Sequence, residues 1–209
     1  MSLQQLIAHP KTFLKQNAVW VSGQLNVACR GRPDTKVWPV TLAPSTTSEC
    51  KKSDGTVMPC WEIVPATSLG GVTLAYFLPW GPNSTKDMVL GDKANLFLTD
   101  TMNGCSFGFG PGGNPRVAHV NYNTFGDSGD REEGKPIDQG HINNEMTRVL
   151  GGAPTGALRK QDYVTGTFPN VTVIGVRQGG AWKFVYQKRD YTGSTGKKQY
   201  TYKAVHTIR

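Results

Sequence analysis

Charge is scarce in this chain, and negative charge scarcer still. Asp, Glu, Lys and Arg make up 18% of its 209 residues, with 15 acids against 23 Lys and Arg. Cysteine is also sparse. Cys29, Cys50, Cys60 and Cys105 are the only four, and no two stand in CxxC spacing, which argues against the common zinc frameworks. No run approaches the ~20 apolar residues of a helical membrane span. The start, Met1-Ser2-Leu3-Gln4-Gln5-Leu6-Ile7-Ala8-His9-Pro10, lacks the basic flank and long apolar segment of a secretory leader. That pattern predicts no ordinary leader-directed export and leaves specialised secretion of a leaderless chain open. What the chain has instead is 25 Gly and 13 Pro, the mark of many turns and short strands.

The length suits one sizeable core. The first sixteen residues carry Leu3, Leu6, Ile7, Phe13 and Leu14, a helical pattern with Ser2 as N-cap and Pro10 as an interruption. Strand-like runs follow at residues 19–27, 37–42, 61–64 and 72–78, the last ending in Leu78-Pro79-Trp80-Gly81-Pro82 and a polar loop. Residues 123–140 read as an exposed loop with five acids, without a complete calcium-loop motif. Residues 143–150 suggest a helix capped by Asn143 and stopped by Gly151-Gly152. Three strands close the chain at 171–177, 182–188 and 199–208. The expected fold is α+β: a strand-dominated single domain over residues 1–209, a mixed-sheet β-sandwich flanked by a few short helices and long loops.

Between the two halves lies Phe97-Leu98-Thr99, then Met102-Asn103-Gly104-Cys105-Ser106-Phe107-Gly108-Phe109, a turn of Gly110-Pro111-Gly112-Gly113-Asn114, and Pro115-Arg116-Val117-Ala118-His119-Val120-Asn121. Two β-favouring runs around such a turn predict a hairpin. With its centre at Gly112, Cys105 falls opposite His119, and side chains opposite in an antiparallel pair share a face ~5 Å apart. A thiol within reach of an imidazole is an activated sulfur nucleophile. Spacing alone leaves equal room for a small buried thiol beside a packed imidazole. Cys50 and Cys60 flank a hairpin-like loop and could form a disulfide in an oxidising compartment. His9, His141 and His206 have no neighbouring Cys or paired acid and read as surface or packing residues.

The net charge of +8 predicts attraction to acidic partners. Seven Lys or Arg lie between Trp182 and Arg209 against the single acid Asp190, interleaved with aromatics. The alternation Trp182-Phe184-Tyr186 fits the buried face of a strand better than a nucleic-acid surface, so nucleic acid is not the expected partner.

The segments Phe97-Leu98-Thr99, Met102-Asn103-Gly104-Cys105 and Pro115-Arg116-Val117-Ala118-His119 resemble the active-site region of the bacterial Cys–His glutamine deamidases. That group includes the Burkholderia lethal factor, the cytotoxic necrotizing factors and the chemotaxis-receptor deamidases. The likeness extends to Leu78-Pro79-Trp80, is best over residues 72–121, and is nearest to the lethal factor. Thr99 lies six residues before Cys105, as the Thr does in the lethal factor and the receptor enzymes; Met102-Asn103 departs from the toxins' Leu-Ser before Gly-Cys. The resemblance implies Cys105 as nucleophile, His119 as acid and base, and Thr99 as orienter of His119. The chemistry of the turn places backbone support for an oxyanion at Asn103 and Gly104, and Asn121, on the same strand face as His119, is a second candidate orienter. It implies conversion of Gln to Glu on a protein partner through a thioester, by a monomer needing no metal or organic cofactor. It further implies a toxin or effector made in the bacterial cytoplasm, with the host cytosol as a destination. The same Cys–His chemistry serves peptidases, amidases and transglutaminases, and a non-enzymatic basic β-module is the third class.

Overall fold

The structure is a computed structural model that describes residues 1–32, 36–67, 72–121, 139–164 and 168–209. Its chain order is α1 (Leu3–Ala8), α2 (Pro10–Gln16), β1 (Ala18–Val21), α3 (Gly23–Gly31), β2 (Val37–Pro44), β3 (Ser48–Lys51), β4 (Val57–Met58), β5 (Cys60–Pro65), β6 (Thr73–Leu78) and β7 (Ser84–Val89). It continues with β8 (Leu96–Thr99), β9 (Ser106–Phe109), β10 (Arg116–Asn121), α4 (Gln139–Leu150), β11 (Gly156–Leu158), α5 (Lys160–Tyr163), β12 (Pro169–Gln178), β13 (Ala181–Thr195) and β14 (Lys197–Thr207). The fold is α+β and strand-dominated, as its turn-rich composition predicts.

The strands form two sheets. A mixed ten-stranded sheet runs β1-β5-β2-β6-β8-β12-β13-β14-β3-β4, and an antiparallel four-stranded sheet runs β11-β9-β10-β7. The larger sheet curls until its ends nearly meet. Trp20 of β1 packs with Cys50, Met58 and Tyr200 from the other end. Closing a sheet on itself satisfies edge groups that would otherwise be left bare.

Alternation along the central strands divides the interior into layers. Leu96 and Leu98 of β8 point to one face with Ile174 and Val176 of β12, where α1, α2 and α3 bury Leu6, Leu14 and Leu25. Phe97 points to the other face and meets Phe107 and Val117 of the small sheet, with Phe184 and Trp182 of β13. Ring centroids of Phe97, Phe107 and Phe184 lie 5.4–5.7 Å apart, so an aromatic cluster welds the two sheets together. The outer face of the small sheet is covered by α4, whose Ile142 and Met146 pack on Ala118 and Val120. The layers are helices, large sheet, small sheet, helix.

Several local expectations hold. Ser2 caps α1 through a capping box and Pro10 opens α2. Trp182, Phe184 and Tyr186 are buried on one face of β13. Others change. Residues 19–27 are not one strand, because Ser22 accepts from the Gln24 N–H and starts α3, which buries Leu25 and Cys29 four apart. The helix expected at 143–150 begins at Gln139 and ends on Gly151 and Gly152, both at positive φ. The loop after Trp80 contains β7, a whole edge strand. The acidic loop expected at 123–140 lies almost entirely outside the described residues. Cys50 and Cys60 are free thiols.

Candidate active site

Thr99 ends β8 on the same face as Phe97, turned toward the small sheet, and pairs in register with Leu78 of β6. From there the chain crosses between sheets through residues 100–105. Met102 pins that crossing to β12 by two backbone hydrogen bonds with Val171, each 2.8 Å. Tyr163 of α5 pins its other end: the phenol donates to the Cys105 carbonyl at 2.7 Å. Between the two anchors Asn103 remains exposed while Cys105 turns inward and is 2% exposed.

The hairpin forms, but its register is not the expected one. Val117 pairs with Phe109, Ala118 with Gly108, His119 with Phe107 and Val120 with Ser106. The turn is centred one residue later than Gly112, so His119 faces Phe107, and Cys105 stands just before the paired strand. With four glycines around the turn, two adjacent closures are sterically open, and side-chain burial chooses between them. The observed choice puts Val117 and Phe107 into the inter-sheet core and Ala118 and Val120 under α4. Parity is unchanged by the shift. Cys105, Phe107, Val117 and His119 still share the inter-sheet side, and Thr99 faces them from the larger sheet.

The electrostatics of that layer are those of a dry site. Burial pushes the Cys105 thiol up to about 12, and the neighbouring Asp100 carboxylate pushes the same way. The Trp80 side chain and the Asn103 backbone hydrogen-bond the sulfur and partly oppose that rise. His119 is 1% exposed, and loss of hydration pulls its imidazole down to about 4. Neither His119 nitrogen has a hydrogen-bond partner among the described residues, and the Thr99 hydroxyl has none either. Thr99 therefore does not hydrogen-bond His119 in this conformation. Asn121 is committed elsewhere, donating through its amide to the Gly81 carbonyl at 2.9 Å.

Uncompensated buried polar groups cost about 1–3 kcal/mol each, which is why native interiors hold few of them. Thr99 and His119 bear that cost, and so do Trp20, Ser84, Ser106, Arg177, Trp182, Arg189 and Asp190 among the described residues.

Two cavities are lined by residues that touch the thiol, Trp80 in one and Asn103 in the other. One of about 520 Å³ is bounded by Trp80, Gly81, Lys86 and Met88. Trp80 hydrogen-bonds the Cys105 sulfur, and Lys86 is the β7 residue directly across from His119. The other, about 480 Å³, is lined by residues that include Asn103, Lys160 and Lys198. Three residues at this site escape a reading of the sequence for chemistry. Trp80 carries one signal, its position between two prolines in Leu78-Pro79-Trp80-Gly81-Pro82. Lys86 and Tyr163 carry none, since β7 reads as polar and α5 is only four residues long.

The fold is α+β, two packed sheets, and Cys105, His119 and Thr99 are each buried in it without a hydrogen bond joining them among the described residues. No protein-family model matches the chain, and no curated protein matches it in sequence.

Proposed function

We propose that the protein is a Cys–His hydrolase of carboxamides, acting as a glutamine deamidase on protein partners, and that the free chain rests in a closed state. One observation carries this reading: Cys105, His119 and Thr99 are all buried, strand alternation turns each to the inter-sheet side, and the His119 nitrogens and the Thr99 hydroxyl have no hydrogen-bond partner among the described residues. The resemblance of residues 72–121 to the Cys–His deamidases supports the substrate class. The buried thiol and its high titration point fit a site that opens when Trp80 leaves the sulfur.

In the opened site His119 takes the Cys105 proton, and the thiolate attacks the carbon of a glutamine carboxamide. Backbone N–H groups at Asn103, Gly104 and Cys105 stabilise the tetrahedral oxyanion. Imidazolium returns the proton to the departing nitrogen, ammonia leaves, and a thioester remains on Cys105. Neutral His119 then draws a proton from water, hydroxide attacks the thioester, and glutamate is released with the thiol restored. Thr99 orients the imidazole once the site is hydrated. A net +8 steers the enzyme toward anionic protein surfaces. The same resemblance supports a role as a bacterial effector acting in a host cytosol.

Peptide mass mapping of a lysate treated with wild type or with Cys105→Ser tests the reading. Conversion of Gln to Glu at one site, only with wild type, is the expected result. Amine cross-links would make the chain a transglutaminase and cleaved backbones a peptidase. Indistinguishable lysates would favour the non-enzymatic basic module.

A further inference from the structure

The cavity beside Trp80 has a charge pattern that its catalytic neighbours do not require. Its wall is apolar, built from Phe77, Leu78 and Met88, and two lysines, Lys36 and Lys86, stand on its lining. Both are exposed, and neither has an ion-pair partner among the described residues. The one carboxylate on the lining, Asp87, is taken by Arg116 in an ion pair at 2.5 Å. The uncompensated charge of this cleft is therefore positive.

Lys86 is also held in place. A Cβ on Gly81 would come within 3.1 Å of Lys86 Cε, so the lysine stem runs against the Gly81 backbone. Gly81 is itself fixed by the Asn121 amide on its carbonyl. Lys86 lies across from His119, and Trp80, on the same lining, hydrogen-bonds the Cys105 sulfur.

We propose that this cavity recognises an acidic side chain adjacent to the target glutamine, with Lys36 and Lys86 as the specificity-determining residues. The proposal rests on the deamidase reading and names its substrate class: a glutamine flanked by Glu or Asp on a protein chain. Apolar walls lower the local dielectric and focus the field of the two ammonium groups into the cleft. A carboxylate on the substrate is drawn in beside Trp80, while a basic neighbour is repelled and cannot bring its glutamine to the sulfur. Asp87, already paired, does not compete.

The test uses two fluorescein-labelled peptides, Gly-Glu-Gln-Glu-Gly and Gly-Lys-Gln-Lys-Gly, titrated by polarisation against the full chain carrying Cys105→Ser in low salt. The acidic peptide is expected to bind at least tenfold more tightly, and the preference is expected to vanish in K36A/K86A, whose folding is checked by thermal unfolding. Equal binding of both peptides would overturn the proposal. So would a preference that survives K36A/K86A and is lost in K160A/K198A, which would place recognition at the other cavity. Ammonia release by wild type is measured separately. Charge preference without ammonia release supports the recognition site and sinks the deamidase reading, whereas ammonia release without charge preference does the reverse.

Discussion

The imidazole of His119 titrates near 4 rather than 6.5 because burial strips its charged form of hydration. Between those values the unfolded chain binds a proton that the folded chain refuses, so folding stability falls as pH drops from 6.5 toward 4. The full loss is about 3 kcal/mol from this residue alone. Cys105 acts on the alkaline side. Its thiol is raised to about 12, so its contribution is intact below the ordinary value of 9.0 and is lost as pH rises from there toward 12. Thermal unfolding followed from pH 4 to 7 should show the acid slope in wild type and a shallower one in His119→Gln; identical slopes would contradict the burial of a neutral imidazole. Thr99 offers a separate test. Thr99→Val replaces an unpartnered hydroxyl by a methyl of similar size, so stability should hold or rise by up to ~1 kcal/mol while deamidation falls strongly. A clear loss of stability would mean that the hydroxyl has a structural partner.

The hairpin of β9 and β10 shows how far local patterns reach. Its existence follows from two β-favouring runs around a glycine turn, and so does the parity that places Cys105 and His119 on one side. Its register does not follow, because four glycines and a proline permit neighbouring closures and the decision is made by α4 and the aromatic cluster, both distant in sequence. The same divide appears elsewhere. Ser2 and Pro10 announce α1 and α2 locally, and alternation announces β13, but β7 is a strand only because β10 pairs with it. Trp80 could be seen as a turn residue, whereas its contact with the thiol depends on tertiary packing. The crossing from Asp100 to Cys105 is held by Met102 and Tyr163, and Tyr163→Phe removes one of those anchors, the 2.7 Å bond to the Cys105 carbonyl. That change should destabilise by about 1–2 kcal/mol in urea unfolding and lower turnover through a displaced sulfur. Unchanged turnover would show that the anchor serves only the fold.

Across the whole molecule, the curled sheet is closed by one unusual side chain. Arg189 of β13 is fully buried, with no carboxylate among its partners. It donates to the Val19 carbonyl of β1, to Gln187 Oε1 at 2.6 Å, to Thr172 Oγ1 at 2.6 Å and to Asn170 Oδ1 at 3.1 Å, and it stacks on Trp20 with 4.4 Å to the ring centroid. Burial pulls its guanidinium down to about 10. Lysine cannot copy that planar set of donors, so Arg189→Lys should cost about 3 kcal/mol or more, seen as a lower urea midpoint. A midpoint within error of wild type would show that the seam does not depend on it. With the seam closed and the aromatic cluster joining the sheets, Thr99, Cys105 and His119 are all buried, and Trp80, which touches the sulfur, lines a cavity.

Site-resolved alkylation tests most directly the claim that Cys105 and His119 form one working unit behind Trp80. Iodoacetamide labelling at pH 7 would be followed by mass spectrometry at Cys29, Cys50, Cys60 and Cys105 in wild type, Trp80→Ala and Trp80→Ala/His119→Ala. Opening the site with Trp80→Ala should speed labelling of Cys105 at least tenfold, beyond the other three thiols, and loss of His119 should cancel most of that gain. If Cys105 in Trp80→Ala reacts no faster than Cys29, or reacts as fast without His119, the thiol is a core residue and the account is wrong.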